Sequence, residues 1–206
     1  VISGANSGAS LRSMPARYLF LDEVDAYPAE LEGEGDPISL AEARTTTFPR
    51  RKVFLVSTPT IESLSRINKE WLASDQRRYH VPCPHCGHQQ HLTWDNLRWP
   101  KDRPEEAVYH CADCGAGIEE HHKTRLLAAG QWVATYPERP VAGFHINGLY
   151  TPTGLGYTWG ELAALWIESS KDPARIKTFV NLRLGEVVAD PNEKIDADDL
   201  ASRASP

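Results

Sequence analysis

The chain has 206 residues, 41% of them hydrophobic, which is enough apolar content for a folded core with one or two modules. Its formal net charge of −6 excludes a domain that holds nucleic acid through general basicity, so any contact with phosphates must be local. No run of about 18 apolar residues occurs and the amino end has no signal-like core, so we predict a cytoplasmic protein that does not enter a membrane.

The first block of the chain, residues 16–59, has the rhythm of an α/β domain. Two short apolar runs, at 18–21 and 53–56, predict strands buried on both faces of a parallel sheet. Good helix formers between them predict a helix over 37–44. Strand, helix and strand in this order predict a βαβ unit. The first residue is Val1 rather than Met, and the residues after it are typical of the end of a strand. This pattern predicts that the chain is cut from a longer one.

The middle of the chain alternates helices with short extended segments. A helix over 61–74 is predicted to bury Ile67, Trp71 and Leu72. A second helix, over 119–129, is predicted to end with Gly130 as its cap. Short strands or extended segments are predicted at 90–94, 107–110 and 141–150.

Two successive helices are predicted near the end of the chain. Thr158 and Glu161 have the spacing of a capping box at the start of the first helix. Asp172 before Pro173 marks the start of the second, which we expect to end by Gly185. Five tryptophans are predicted to pack in the core rather than stack on bases: Trp94, Trp99, Trp132, Trp159 and Trp166.

Four cysteines form two C-x-x-C-G knuckles separated by 24 residues: Cys83, Cys86, Cys111 and Cys114. The glycine after each pair permits the tight turn that points two thiolates at one ion. Because cysteine fills all four positions, no site stays open for water, and we predict a structural zinc ion in a ribbon-like module. Two disulfides are the alternative, which a reducing compartment disfavours. Histidines of this module are predicted to be exposed polar residues: His85, His88, His91 and His110.

Paired acids follow the first predicted strand. Asp22 and Glu23 come directly after the apolar run, in the arrangement by which some ATPases orient magnesium with the Asp and activate the attacking water with the Glu. The neighbouring strand ends in Ser57 and Thr58, hydroxyl residues that could sense the γ-phosphate. The carboxyl ends of parallel strands meet at one crevice, so this pairing favours an ATPase. No G-x-x-x-x-G-K-[ST] phosphate loop occurs in the 206 residues.

The order of these motifs resembles the middle part of the large terminase subunit of lambda-like tailed bacteriophages. The segments that carry the resemblance are GAN at 4–6, LRS at 11–13, RYLFLDEVDAYP at 17–28, EGDP at 34–37, Lys52 with STPT at 57–60, both cysteine knuckles, GFHINGLY at 143–150, FVN at 179–181 and LGE at 184–186. They extend over most of the chain in the family's order.

The resemblance implies an ATP-driven motor that packages viral double-stranded DNA and an endonuclease that cuts it. It implies that Asp22 is the magnesium-associated acid, Glu23 the catalytic acid and residues 57–60 the coupling motif, with Arg12 and Arg44 as candidates for phosphate or subunit contact. ATP and magnesium would serve the complete protein. Its implied partners are the small terminase subunit, the portal of the procapsid and further copies of itself, in the host bacterial cytoplasm.

The predicted fold class is α/β, with part of a P-loop-type ATPase parallel sheet followed by the zinc ribbon and a helical segment. The predicted divisions are 1–78 for the ATPase part, 79–118 for the ribbon, 119–189 for an α+β or helical segment leading to the nuclease, and 190–206 for a flexible tail. The resemblance places the phosphate loop upstream and the first nuclease aspartate downstream, so we expect the isolated chain to be inactive.

Two other functions are compatible with the residues alone. A non-enzymatic zinc module could bind DNA or a packaging partner through the ribbon. An unrelated helicase-like ATPase could also carry the acidic strand end, although the Ser-Thr-Pro-Thr motif and the cysteine pairs disfavour it.

Overall fold

The computed structural model describes residues 2–8, 11, 15–31, 33 and 35–189, and the chain divides into two compact units. The first unit comprises residues 1–59 and 65–67, and the second comprises 60–64 and 68–206. The predicted tail at 190–206 lies outside the described residues, as does Arg12. Within the described ranges, none of the helices has the length and apolar character needed to cross a bilayer.

The first unit contains the predicted βαβ arrangement. Strands β1 (Tyr18–Asp22) and β2 (Lys52–Val56) pair in parallel, with Tyr18 opposite Lys52 and Asp22 opposite Val56. Helix α1 (Pro37–Glu42) lies between them in the chain. It begins at Asp36, whose carboxylate accepts the Ser39 N–H at 2.9 Å, with Pro37 at the first helical position. The prediction of a mixed α/β fold with a parallel sheet is therefore confirmed.

The predicted burial of both faces of this sheet is wrong for the described chain. Leu21 and the nearby Val24 are 4% and 0% exposed and pack with α1 residues such as Ala41. Alternate residues face the other way, and Phe20 is 76% exposed and Phe54 49%. Successive strand residues point to opposite faces, and the described elements of this unit cover one face only.

Helix α2 (Arg66–Ala73) begins five residues later than predicted because residues 61–64 form a turn closed by the Leu64 N–H and the Ile61 carbonyl. Ile61 also forms an isolated parallel bridge with Val188. Ile67 packs against the Val24 core as expected, but Leu72 is 54% exposed, so its predicted burial is wrong. Leu72 follows Trp71 by one residue and therefore points about 100° away around the helix.

Two small sheets form the framework of the second unit. In the first, β3 (Arg77–Pro82) pairs antiparallel with β4 (Gln89–His91) and β8 (Gln131–Ala134), and in parallel with β9 (Phe144–His145). The second sheet is antiparallel, with the order β5 (Leu97–Arg98), β6 (Val108–His110) and β7 (Gly117–Ile118). The strands predicted near 90–94 and 107–110 are present as β4 and β6.

Tryptophan rings pack within and against the core of the second unit. Trp159 is fully buried and donates its indole N–H to the Leu149 carbonyl at 3.0 Å. Trp94 packs its ring against Phe179 and Trp166, with ring centroids 4.9 and 5.5 Å away. The predicted core role of the tryptophans thus holds for these residues, whereas Trp132 is 39% exposed.

The helix predicted over 119–129 is shorter than expected. A 3-10 turn, Glu120–His122, precedes α3 (Lys123–Ala128), and Ala129 rather than Gly130 is the C-cap. Gly130 does not adopt a positive φ, so its predicted capping role is wrong. A Cβ at this position would overlap the Tyr79 ring, and close approach of that ring is what requires a glycine here.

The two final helices are as predicted. Helix α4 (Trp159–Ser169) starts with the complete capping box, in which Thr158 and Glu161 each bond the other's backbone N–H. Helix α5 (Pro173–Phe179) starts at Asp172 and continues into a π-helical turn, Val180–Leu184, which Gly185 ends at φ 64°. The segment predicted as extended at 141–150 contains β9 and a 3-10 turn, Gly148–Tyr150.

Candidate functional site

The carboxyl ends of β1 and β2 bring together the predicted acids and hydroxyls of the first unit. Asp22 is the last residue of β1 and lies opposite Val56, the last residue of β2. Glu23 and Ser57 therefore follow at the same edge of the sheet. Both acids are exposed, so their carboxylates are open to solvent and able to meet a cation or a water molecule.

Ser57 is the hydrogen-bonding centre of this edge. Its hydroxyl oxygen accepts the backbone N–H of Asp25 at 3.2 Å. Its single hydrogen is within reach of the Glu23 carboxylate, at 3.5 Å, and of the Thr58 carbonyl, at 3.1 Å. The hydroxyl therefore has two alternative acceptors, one of them the predicted catalytic acid.

Glu23 has an unusual backbone conformation. Its φ of 54° and ψ of 48° lie in the left-handed region, which non-glycine residues seldom occupy. The Glu23 carbonyl accepts the Ala26 N–H at 2.9 Å, and Val24 beside it is fully buried. These contacts hold the strained residue in place, and such strain is concentrated at functional sites.

A set of contacts that the sequence did not reveal fixes the loop after β1. The Asp25 carboxylate accepts the Ile67 N–H at 2.8 Å. Arg66 donates to the Pro28 carbonyl at 2.8 Å and pairs with Asp36 at 3.3 Å. The only sequence signal for them is a third acid two residues beyond Glu23, which does not identify its partner.

Tyr27 lies close to the Asp22 backbone and carboxylate. Burial and the negative charge of Asp22 raise the pKa of Tyr27, although a hydrogen bond to the Asp22 backbone opposes the shift.

Thr58 is half-buried, and its side chain makes no hydrogen bond within the described ranges. Arg44 is also half-buried, and its carbonyl accepts the Ala16 N–H.

The four cysteines of the second unit converge as predicted. Their sulfur atoms all lie within 4.8 Å of one another, with Cys83 and Cys114 3.9 Å apart and Cys86 and Cys111 3.8 Å apart. A disulfide needs about 2.05 Å, so these are free thiols. Tetrahedral Zn–S bonds of about 2.3 Å place sulfurs about 3.8 Å apart, so the cluster fits a zinc ion.

The two knuckles repeat the same backbone geometry. One lies between β3 and β4 and the other between β6 and β7. In each, the backbone carbonyl of the first cysteine accepts the N–H of the glycine that follows the second cysteine, at 2.9 Å for Gly87 and 3.0 Å for Gly115. Both glycines have a positive φ, 78° and 69°, as their role in the turn requires.

Hydrogen bonds to sulfur separate the acidities of the thiols. Burial raises the pKa of Cys111, but hydrogen bonds to its sulfur outweigh this effect and lower the pKa to about 6. These bonds come from the backbone N–H groups of Cys114 and Asp113 and from two neighbouring sulfurs. The backbone N–H of His88 favours the Cys86 thiolate, but burial and bonds with the other three sulfurs raise its pKa to about 12. The cluster thus holds at least one ready thiolate while bringing the others close enough to lose their protons to a bound cation.

Two side chains connect the knuckles. Gln90, 4% exposed, accepts the Ala112 N–H at 2.8 Å and so joins β4 to the second knuckle. His85 Nε2 donates to the Gly117 carbonyl at 3.0 Å. His85 and His88 are exposed as predicted, whereas His91 is half-buried and burial lowers its pKa.

Paired acids at the end of a parallel strand, beside a hydroxyl residue on the next strand, are typical of nucleotide-hydrolysing α/β domains. Residues 1–132 match the phage terminase large subunit gpA, ATPase domain, and residues 141–206 match the terminase large subunit gpA, endonuclease domain. The first match covers more than half of the chain, and the chain belongs to the phage terminase large subunit family.

Two curated relatives agree with this assignment. The terminase large subunit of Enterobacteria phage P21 is 29% identical over 94% of this chain, and that of Escherichia phage lambda is 27% identical over 97%. The matched regions are 34% and 35% of those proteins, so the chain spans about a third of the length of these relatives. No solved structure matches the chain.

Proposed function

We propose that this chain carries the hydrolytic acids of the ATP-driven motor in a phage terminase large subunit, the enzyme that packages and cuts viral double-stranded DNA. The observation that carries the proposal is the edge formed by Asp22, Glu23 and Ser57 at the ends of two parallel strands. Membership of the terminase family supports the choice of reaction.

Asp22 and Glu23 have separate roles in this proposal. Asp22 orients a magnesium ion, which would supply charge neutralisation at the phosphates when bound. Glu23 accepts a proton from the attacking water as a general base. Its strained backbone fixes the carboxylate at the strand end, and its exposure leaves room for water.

Ser57 and Thr58 couple hydrolysis to the rest of the protein. The Ser57 hydroxyl can donate its hydrogen bond to the Glu23 carboxylate or to the Thr58 carbonyl. A change of charge at Glu23 therefore alters a hydrogen bond in the strand-end loop. The Asp25 N–H also binds this hydroxyl, and Asp25 is bonded to the start of α2. This chain of bonds provides a route from the acid to the helix.

The second part of the proposal concerns the cysteines. Cys83, Cys86, Cys111 and Cys114 hold a structural zinc ion in a zinc ribbon built from β3 and β4 and from β6 and β7. Sulfur separations that match a tetrahedron support this assignment. The closed ligand set makes the ion a fold-stabilising element rather than a catalyst.

The remaining assignments follow from family membership. The endonuclease match supports a role for residues 141–206 in DNA cutting. We propose double-stranded DNA, the small terminase subunit, the portal of the procapsid and further copies of the subunit as partners, in the host cytoplasm. The non-enzymatic alternative, a zinc module that binds DNA or a packaging partner, remains the outcome if no ATP is hydrolysed.

ATP turnover tests the proposal. We would measure it, with and without duplex DNA, for the 206-residue chain and for the same chain joined to an upstream segment that carries a phosphate loop. DNA-stimulated turnover by the joined protein alone is the expected result, because the chain has no such loop. Absence of turnover by both proteins would overturn the ATPase assignment and favour the zinc module.

A further inference from the structure

A cluster of four cations lies where β1 and β2 begin, in a chain whose net charge is −6. Its members, called the basic edge below, are Arg17, Arg50, Arg51 and Lys52, and all four are exposed. The acids of the proposed ATP site lie at the other end of the same strands. Five strand residues separate the two ends, about 16 Å, so the basic edge is not part of the nucleotide site.

Hydrogen bonds to backbone carbonyls hold the basic edge together. The Lys52 N–H donates to the Arg17 carbonyl at 3.0 Å, and the Arg17 Nε donates to the Arg50 carbonyl at 3.5 Å. The Arg51 N–H donates to the Phe48 carbonyl at 3.2 Å, which closes the turn before β2. The cations therefore come from two adjacent chain segments fixed side by side, rather than from one mobile run.

The charges of the basic edge are not neutralised within the described residues. None of the four cations has a carboxylate within ion-pair distance there, whereas other exposed arginines such as Arg103 and Arg175 do. Arg17 stacks its guanidinium 5.2 Å from the Tyr18 ring centroid, which leaves its charge available. Concentrated positive charge without a partner fits an anionic ligand.

We propose that the basic edge binds the phosphate backbone of duplex DNA. Neighbouring strands are about 4.8 Å apart, and arginine and lysine side chains are long and flexible, so cations on two strand ends can reach neighbouring phosphates. Exposed cations that contact phosphates bind without regard to base sequence, which suits a motor that moves along DNA. The inference rests on the proposed function and assigns it a DNA-contact surface.

The test compares matched variants of the 206-residue chain. The triple variant R50Q/R51Q/K52Q removes three charges of the basic edge and leaves Arg17 with its structural bonds. The control variant K69Q/R98Q/K101Q removes three exposed cations that form no ion pair in the described part of the chain. R50K/R51K keeps the charge and tests whether charge alone is needed.

Binding is measured by fluorescence anisotropy with labelled duplexes of about 30 base pairs and two unrelated sequences, between about 50 and 200 mM salt. For wild type, we expect equal affinity for both sequences. In the basic-edge variant we expect affinity to fall about tenfold or more at low salt and the log–log salt slope to fall by about 2 to 3. The control variant and R50K/R51K should bind like wild type.

Three results would overturn the inference. One is an unchanged affinity and salt slope in the basic-edge variant, and another is an equal loss in the control variant. The third is stronger competition by poly-glutamate than by duplex DNA, which would indicate an acidic protein partner. The binding assay needs no ATP. Loss of the ATPase proposal with intact DNA binding is therefore distinguishable from loss of DNA binding at the basic edge with an intact ATPase proposal.

Discussion

At the scale of single residues, Glu23 shows what a sequence pattern can and cannot reveal. An apolar strand followed by two acids predicted where Glu23 would lie, because strand ends are set by local pattern. The left-handed backbone was not predictable, since glutamate seldom adopts it. This backbone conformation depends on tertiary contacts, namely the burial of Val24 and the hydrogen bond between Glu23 and Ser57. Glu23 and Ser57 are more than 30 residues apart in the chain.

His145 has both ring nitrogens in use. Its Nε2–H donates to the Gly185 carbonyl at 3.0 Å, so Nδ1 is the acceptor of the Arg78 guanidinium at 3.2 Å. Burial and the charge of Arg78 lower the pKa of His145, although bonds with backbone groups oppose the shift. His80 and His91 lie in the same cluster, as does Glu186, whose pKa burial raises. If Nδ1 of His145 were protonated, its hydrogen would point at the Arg78 guanidinium, which has no acceptor for it.

The expected consequence is acid sensitivity. In the unfolded chain His145 binds its proton with an ordinary pKa of about 6.5, whereas the folded chain binds it only at a lower pH. The stability contributed by neutral His145 is therefore complete above about pH 6.5 and is lost as the pH falls. Urea unfolding at about pH 7.5 and 5.5 should therefore show a larger acid loss for wild type than for His145→Gln. Glutamine keeps a neutral donor and acceptor, and the difference between the two proteins cancels the titrating groups that lie outside this cluster. Equal losses would contradict this account.

At the scale of elements, periodicity predicted the strands with clear apolar runs and missed those without. β1 and β2 carry apolar residues on both faces and were found from the sequence. β3 contains two arginines and a histidine, and it is a strand because β8, β4 and β9 pair with it. Such non-local pairing leaves no periodic signal. Gly130 was misinterpreted for a related reason, since its neighbour Tyr79 is distant in sequence.

The cysteine knuckles are the element for which sequence was most informative. Two C-x-x-C-G motifs fix the turn geometry locally, and only their meeting depends on the fold. In contrast, nothing in the sequence pointed to Gln90 as the residue that joins β4 to the second knuckle. Its contact with the Ala112 N–H crosses 22 positions, and glutamine has no characteristic spacing from a metal site.

Loss of one thiolate should loosen this module. Cys86→Ser is expected to reduce bound zinc from about one ion per chain to a small fraction and to expose residues 80–118 to protease, because a small module has little core of its own. Ala112→Ser places the same side chain within a knuckle without removing a sulfur, and it should behave as wild type. Metal content and limited proteolysis, with and without a chelator, provide the readings. Full zinc and full resistance in Cys86→Ser would refute the structural role.

For the whole molecule, charge is distributed in a way that the net value conceals. The chain is acidic overall, yet the first unit carries exposed acids at one end of β1 and β2 and, at the other, cations that form no ion pair with any described residue. Composition argues against a generally basic DNA-binding domain, but it could not show that a few cations lie together. The predicted divisions at 78, 118 and 189 remain predictions.

The central claim is that Asp22 and Glu23 divide the work of ATP hydrolysis, and one comparison tests it most directly. In the chain joined to a phosphate loop, we would measure magnesium-dependent binding of a fluorescent ATP analogue and ATP turnover for Asp22→Asn and Glu23→Gln, with Glu30→Gln as an exposed control. Glu23→Gln should keep binding and lose turnover by about 100-fold or more, whereas Asp22→Asn should weaken both. Wild-type turnover in Glu23→Gln would contradict the account.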